Sequence, residues 1–301
     1  MERPAKRPRN EASVARGRRE PPRSGGPERQ EMERITSRQN AIVKRFRELA
    51  RASGAAKPGE LLLDGAHLVE EALACGVPVE VAAFSDREVG TALSPLARIA
   101  REVKKHGGRV LTVSDHVLAA MSPVQHPSGV VAIAHTQPPD LRAAFAGARQ
   151  LVLVLAGLQD PGNVGAIVRT AAACGASGIV TIEGSANPFG WKALRGAMGG
   201  TFRVPVAARG TLHDVIAAAR DARVRLIAAV PRGGAPLPRV DLRGPTAIVL
   251  GGEGAGISGD ALAAASETVT IPMRPPVESL NVAIAAALIL YEASRQREEA
   301  D

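Results

Sequence analysis

The sequence predicts an α/β protein: a parallel sheet in the C-terminal half, preceded by a smaller α/β sandwich. Three observations carry this. Short apolar runs alternate with helix-length stretches from about residue 61 to residue 297. The C-terminal runs, such as Leu151-Val-Leu-Val-Leu-Ala, are apolar at every position, as suits a central parallel strand covered on both faces. Several of them end in glycines or polar side chains, at the place where open α/β sheets bind ligands.

Bulk properties narrow the class. A chain of 301 residues allows one to three domains with a sizeable core. Hydrophobic content of 45% is ordinary for a soluble protein, and the net charge of +8 suits a polyanionic partner. Aromatics make up only 2%, which argues against a platform that stacks bases; phosphate contacts by Arg and Lys fit better. Cys75 and Cys174 are too few for a disulfide framework and lack metal-ligand spacing, so each reads as a small buried residue at a helix end and no metal is expected. The N-terminus has no h-region and the apolar stretch 282–291 is too short to span a bilayer, so a cytoplasmic location is expected.

Residues 1–33 are rich in Arg, Glu, Pro, Gly and Ser without apolar periodicity, and are expected to be a disordered basic arm. Such an arm either adds affinity for a polyanion or only solubilises, and the sequence leaves both open. Order is expected from Ile35, with Ser37 capping a helix over 39–53. Ile42, Val43, Phe46, Leu49 and Ala50 give that helix an apolar face, and Arg38, Lys44, Arg45, Arg47 and Arg51 crowd the rest. A nucleic-acid-facing helix and an ordinary charged surface helix both fit. Then follow Leu61-Leu-Leu-Asp-Gly as a strand, a helix at 66–75, strand 78–84, helix 92–106, strand 109–113, helix 115–121 and strand Gly129-Val-Val-Ala-Ile-Ala134. Residues 34–135 thus form the first unit, and 136–150, with Gln-Pro-Pro-Asp, a linker. In 151–301, strands are expected at 151–156, 178–182, 225–230, 246–251 and 268–273, and helices at 164–174, 190–198, 211–221, 259–265 and 280–297. The last helix is small and apolar nearly all round, so burial is expected.

Three segments carry the chemistry. In Asn163-Val-Gly-Ala-Ile-Val-Arg169-Thr-Ala, Asn163 stands where an N-cap would, and Arg169 falls off the buried stripe of Val164, Ile167, Val168 and Ala171. Alone, this is better explained by a plain helix cap and a surface ion pair. Leu250-Gly-Gly-Glu253-Gly-Ala-Gly256 is a glycine-rich turn after a strand. Its continuation, Gly254-Ala-Gly-Ile-Ser-Gly259, matches the dinucleotide fingerprint G-x-G-x-x-G, which makes a hydride-transfer enzyme the rival reading. The rival is weak: the acid at the expected distance, Glu278, sits in a loop broken by Pro275 and Pro276, and too little chain follows. In Ile271-Pro-Met-Arg-Pro-Pro-Val-Glu-Ser279-Leu-Asn281-Val-Ala, a loop delivers Glu278, Ser279 and Asn281 to a helix start, where Ser279 would serve equally as a plain N-cap.

Order and spacing of these segments resemble the SpoU/TrmH family, SPOUT-class methyltransferases that use S-adenosylmethionine to methylate ribose 2′-hydroxyls in RNA. The resemblance covers residues 150–297 closely and 34–135 more loosely. In the latter, Leu63-Asp-Gly-Ala-His-Leu-Val-Glu-Glu-Ala and His126-Pro-Ser-Gly-Val-Val-Ala look like a substrate-binding domain with a ribosomal-protein-like fold. It implies a trefoil knot in the C-terminal part, a homodimer with sites near its interface, and an RNA substrate, ribosomal RNA in preference to transfer RNA. By the same resemblance, Asn163, Arg169, Glu253, Ser279 and Asn281 surround the reaction centre, and Gly251, Ile271, Met273 and Leu280 contact the cofactor. Pro276 stands where the family often has Gly, and Ala197 where it often has Ser, which touches loop shape and RNA contacts. A non-catalytic RNA-binding factor would keep the fold but need not keep all five polar residues.

Overall fold

The computed structural model describes residues 32–51, 59–89, 93–252, 254 and 256–299. The N-terminal half runs β1 (Glu33–Ile35), α1 (Ala41–Arg51), β2 (Glu60–Asp64), α2 (Ala66–Ala74), β3 (Val79–Ser85), α3 (Asp86–Val89), α4 (Pro95–Lys105), β4 (Arg109–Val113), α5 (Asp115–Met121) and β5 (Val130–His135). Its five strands pair in the order β1-β4-β3-β5-β2. The β5 strand is antiparallel to both neighbours and the other pairings are parallel. Alternating side chains fill both faces. Leu61, Leu63 and Phe84 pack with α2 and α4. Leu62, Leu111 and Ile133 pack with Val43 and Phe46 of α1 and with α5.

A short helix, α6 (Leu141–Ala144), lies in the connection. The C-terminal half continues as β6 (Leu151–Ala156), α7 (Pro161–Ala173), β7 (Gly178–Ile182), α8 (Trp191–Ala197), β8 (Val206–Gly210), α9 (Leu212–Asp221), β9 (Arg225–Ala229), β10 (Ala235–Pro236), β11 (Thr246–Gly251), α10 (Gly259–Ala264), β12 (Glu267–Thr270) and α11 (Val282–Glu298). The seven strands lie in the order β10-β12-β9-β11-β6-β7-β8, every pairing parallel. Leu151, Leu153 and Leu155 of β6 face α7, α8 and α11, while Val152 and Val154 face α6, α9 and α10. From β6 the chain proceeds outward through β7 and β8, then returns on the other side until β11 pairs with β6. That reversal is a topological switch point, where such sheets open a crevice at their carboxyl ends.

Several expectations change. Strand β1 places Glu33 in regular structure, inside the stretch expected to be disordered; three residues are too short for periodicity to show. Residues 1–31 of that stretch, and 52–53 of the first helix, lie outside the described residues. Helix α1 starts at Ala41, and Asn40 Oδ1 accepts from the Ile42 amide at 2.9 Å; Ser37 instead turns back to the Gln39 amide at 3.2 Å. Strand β8, unassigned from sequence, is an edge strand whose last residues, Arg209 and Gly210, are polar or small. The final strand stops at Thr270, just before Ile271-Pro272, and proline has no amide to donate. Cys75 and Cys174 each cap a helix C-terminus but are only half-buried. Helix α11 is not buried all round: Ile284, Leu288 and Tyr291 are 55%, 42% and 66% exposed, one ridge at i, i+4 and i+7 spacing. Among the described residues no helix is long and apolar enough to cross a membrane.

A charge cluster ties α1 to the N-terminal sheet. Arg45 reaches Glu80 Oε1 at 2.5 Å and Glu60 Oε1 at 2.7 Å, and His135 Nε2 lies 2.6 Å from Glu80 Oε2. The Arg45 hydrogen bond, aided by His135, holds the Glu80 carboxyl down at about 2, against the usual 4.5. A carboxyl depressed on folding stabilises above its unfolded value, and that contribution fades as pH falls through the folded value. Glu80→Gln should therefore be less stable than the unaltered protein at pH 7, with the gap closing between 4.5 and about 2. Urea denaturation of both proteins across this range checks it; a pH-independent gap would refute the linkage.

Candidate active site

At the switch point the sequence leaves β6 through Gly157-Leu158-Gln159-Asp160 and enters α7. Asp160 is the N-cap, accepting from the amides of Gly162 at 2.5 Å and Asn163 at 3.1 Å. Asn163 is thus not the cap but lies in the first turn, where its Oδ1 accepts from Asn281 Nδ2 at 3.1 Å. Asn281, not Ser279, caps α11: its Oδ1 accepts from the amides of Ala283 at 2.9 Å and Ile284 at 3.3 Å. Two segments 118 residues apart in sequence are therefore joined at the starts of two packed helices.

The strand β11 supplies the third. The Gly252 amide donates to Ala156 O at 2.8 Å and Gly256 N to Gly252 O at 3.0 Å, so the glycine turn folds back on itself. Gly254 and Gly256 have φ of 94° and 66°, a region side chains rarely adopt. The turn bounds a cavity of about 500 Å³. Gly251, Gly252, Gly254 and Gly256 line one side of it, and Ile271, Met273, Ser279 and Leu280 the other, with Leu250, Ile257, Leu262 and Val282 as apolar walls. Val282 also lines a second cleft of about 200 Å³, formed by Gly157, Leu158, Gln159, Asp160 and Asn163. Asn281 directly precedes this shared residue, and its partner Asn163 lines the smaller cleft.

Gly251, Ile271, Met273, Ser279 and Leu280 thus share one cavity, and Asn163 and Asn281 stand beside it. Arg169 lines neither space. It is exposed six residues along α7, about 9 Å by helical rise, beside Gly200 and without a carboxylate partner among the described residues. Glu253 lies outside the described residues; Gly252 and Gly254, on either side of it, line the cavity. Sequence reasoning missed the contribution of β9: Val230 and Pro231 line the cavity, and Arg232 pairs with Glu278 at 3.2 Å. The rule that ligands gather at strand carboxyl ends, applied to β9, would have found them. The dinucleotide reading fails on topology, because β12 pairs with β9 and not with β11, and Gly259 opens a helix of only six residues. Among the described residues no group of three or more His, Cys, Asp or Glu could hold a metal ion.

Comparison with known proteins decides the family. Residues 150–291 match the model of the SpoU rRNA Methylase family, and residues 40–132 that of an MRM3-like substrate binding domain. An uncharacterized tRNA/rRNA methyltransferase of Synechocystis is 38% identical over 87% of this chain and 94% of its own. The 23S rRNA (guanosine(2553)-2′-O)-methyltransferase RlmP of Bacillus subtilis is 30% identical over 86% and 98%. The chain belongs to the SpoU methylase family. Among solved structures, an AdoMet-bound rRNA methyltransferase from Sinorhizobium meliloti superposes with a TM-score of 0.78 at 29% identity, covering 88% of this chain and 98% of that one. The SpoU methyltransferase AviRb from Streptomyces viridochromogenes, in complex with AdoMet, gives 0.76 at 28%, covering 86% and 100%. The protein is an RNA methyltransferase that uses S-adenosylmethionine.

The cavity fits that cofactor on its own terms. Its volume falls in the range usual for cofactor sites, its walls are apolar, and a glycine floor exposes backbone groups. A Cβ on Gly251 would collide with the Gly256 backbone, so the floor tolerates no side chain there without opening the turn. Gly251→Ala should weaken S-adenosylmethionine binding about tenfold or more by calorimetry, about 1.4 kcal/mol, while far-UV circular dichroism stays unchanged. Unaltered affinity would show that this turn is not the cofactor floor.

Proposed function

We propose that the protein transfers a methyl group from S-adenosylmethionine to a ribose 2′-hydroxyl in structured RNA, with ribosomal RNA favoured over transfer RNA. The observation that carries this reading is the Asn163–Asn281 bond, which sets a residue of the smaller polar cleft beside the start of the helix whose Val282 also lines a cofactor-sized cavity. The Bacillus subtilis relative, named for 2′-O-methylation of a guanosine in 23S rRNA, supports the substrate, as does the match of residues 40–132 to a substrate-binding domain.

When bound, S-adenosylmethionine supplies an electrophilic methyl, which the ribose oxygen takes by in-line displacement. The chain orients that oxygen, removes its proton and stabilises the charge that develops. Asn163 and Asn281 hold each other in register beside the place proposed for the ribose. Ser279 offers a hydroxyl inside the cofactor cavity. Arg169, whose planar guanidinium can grip a phosphate in bidentate fashion, serves as phosphate clamp and oxyanion stabiliser. Glu253, a water or the RNA phosphate accepts the proton.

The same reading assigns residues 34–135 to RNA binding, 136–150 to a linker and 151–301 to catalysis, with a basic arm before them. It includes a trefoil knot in the segment leading to α11, a cytoplasmic location and a homodimer. The exposed ridge Ile284, Leu288 and Tyr291 supports the dimer, because a C2 axis lets one such ridge cover itself.

Mass spectrometric mapping of 2′-O-methyl groups should find one ribosomal RNA site missing from cells that lack the gene. A lost transfer RNA site would move the substrate, and an unchanged map would leave a non-catalytic RNA-binding factor. Arg169 separates clamp from base. Arg169→Ala should lose about 10²–10³ in single-turnover rate, the usual cost of one electrostatic donor, while Arg169→Lys keeps part of it. The pH profile of Arg169→Lys should keep the unaltered shape at lower amplitude; a titration that moves with the substitution would make Arg169 the base.

A further inference from the structure

Between the two sheets lies a segment that the catalytic reading leaves unused, residues 189–203, made of Phe189, α8 and the 3-10 turn Gly200–Phe202. It covers β2, the edge strand of the N-terminal sheet, and straddles that edge. On one face Leu194 is fully buried in the cluster of Leu61, Leu63 and Phe84, with Phe189 and Phe202 packed beside it. On the other face Trp191 packs against the cluster of Leu62, Val43 and Phe46. Trp191 Nε1 donates to Ala50 O at 3.0 Å, at the end of α1. Arg203 donates from Nε and Nη2 to one oxygen of Glu71 on α2, at 2.9 and 2.6 Å. Gly199, with φ of 88°, lies so close to Glu71 that a Cβ there would sit 2.7 Å from its side chain.

The opposite side of this segment meets α7. A Cβ on Gly165 would collide with Ala193 O and sit 3.0 Å from Gly196 Cα, so the two helices touch backbone to backbone. A Cβ on Gly200 would sit 3.1 Å from Val168 O and 3.2 Å from Arg169 Cα. One short segment therefore contacts both the N-terminal sheet and the turns of α7 that carry Asn163 and Arg169. The covalent route between the sheets does not set their orientation: α6 and Phe145 are already packed on the C-terminal sheet, and residues 136–140 are a tether of about 17 Å when extended, which limits distance and not angle. Linked units move relative to each other unless a substantial apolar contact stops them. Here side chains inserted on both faces of an edge strand supply that contact.

We propose that residues 189–203 act as a rigid spacer between the N-terminal unit, read as the RNA-binding part, and the catalytic helix, and that Trp191, Arg203 and Glu71 are positioning residues that determine which ribose is methylated. The proposal rests on the reading given under Proposed function. Its physical content is a distance: RNA held by the N-terminal unit presents a single ribose to α7 only while the spacing is fixed, and a misplacement of about 1 Å can cost about 10²-fold in rate.

The test uses the full chain carrying Glu71→Arg, Arg203→Glu, both together, and Trp191→Phe, which keeps a smaller aromatic ring but removes the donor. Each single variant should keep its cofactor affinity by calorimetry and its circular dichroism spectrum. Its kcat/KM on RNA should fall about 10- to 100-fold, with methyl groups appearing on neighbouring riboses. The double variant, which restores the ion pair at unchanged net charge, should recover both rate and position. Trp191→Phe should spread the methylation pattern even if the charge variants fold poorly. Folded variants that methylate the same ribose at the unaltered kcat/KM, or a folded double variant that recovers nothing, would overturn the spacer alone. Absence of methyl transfer by the unaltered protein would overturn the methyltransferase reading and the spacer with it.

Discussion

Gly252 lies against the Gly157 carbonyl so closely that a Cβ there would overlap it, and the Gly252 amide donates to Ala156 O at 2.8 Å. This approach closes the carboxyl ends of β11 and β6 into one edge. The cavity depends on it, because a glycine turn can fold inward only from a strand end held this near its neighbour. The smaller cleft begins at the same Gly157, and Asp160, three residues on, caps α7 and so fixes where Asn163 points. Asn281 then meets Asn163 while capping α11, so a single amide pair joins the two helices that flank the edge. The polar part of the site is thus largely a by-product of satisfying helix N-termini, groups that need partners in any case.

A second constraint is steric. Helices α7 and α8 meet through Gly165 and Gly196, each of whose missing Cβ atoms leaves room for the other's backbone. Any residue larger than glycine at Gly165 pushes α8 away, and with it the apolar side chains that enter the N-terminal sheet. Packed interiors transmit such displacement instead of absorbing it. The stability of the contact between the halves and the placement of α7 are therefore one problem, solved by two glycines.

Much of this was legible in the chain. Strands 151–156 and 246–251 match at both ends because continuous apolar runs bounded by polar residues or glycine leave few other readings. Gly251, Ile271, Met273 and Leu280 line one cavity, because the parallel order puts strand ends at one edge. Capping was legible only as a residue type. Asp160 and Asn163, or Ser279 and Asn281, are equally good caps, and the path of the loop into the helix chooses between them. Strands β1 and β8 were missed because an edge strand needs only one neighbour and little hydrophobic pattern. The ridge on α11 misled because an apolar composition reports burial without saying by what.

That ridge and Arg169 share one property: neither is accounted for by the packing of a single chain. Ile284, Leu288 and Tyr291 present large apolar surface at helical spacing, which water does not favour. Arg169 is exposed on α7, the helix against which α11 packs, away from the two spaces that Asn163 and Asn281 border. In the proposed homodimer the ridge would be covered, and under the proposed clamp an RNA phosphate would give the guanidinium its partner. On that proposal Arg169 would contribute when substrate arrives, which is where a stabiliser of developing charge is most effective, since the interaction strengthens as the ribose oxygen sheds its proton.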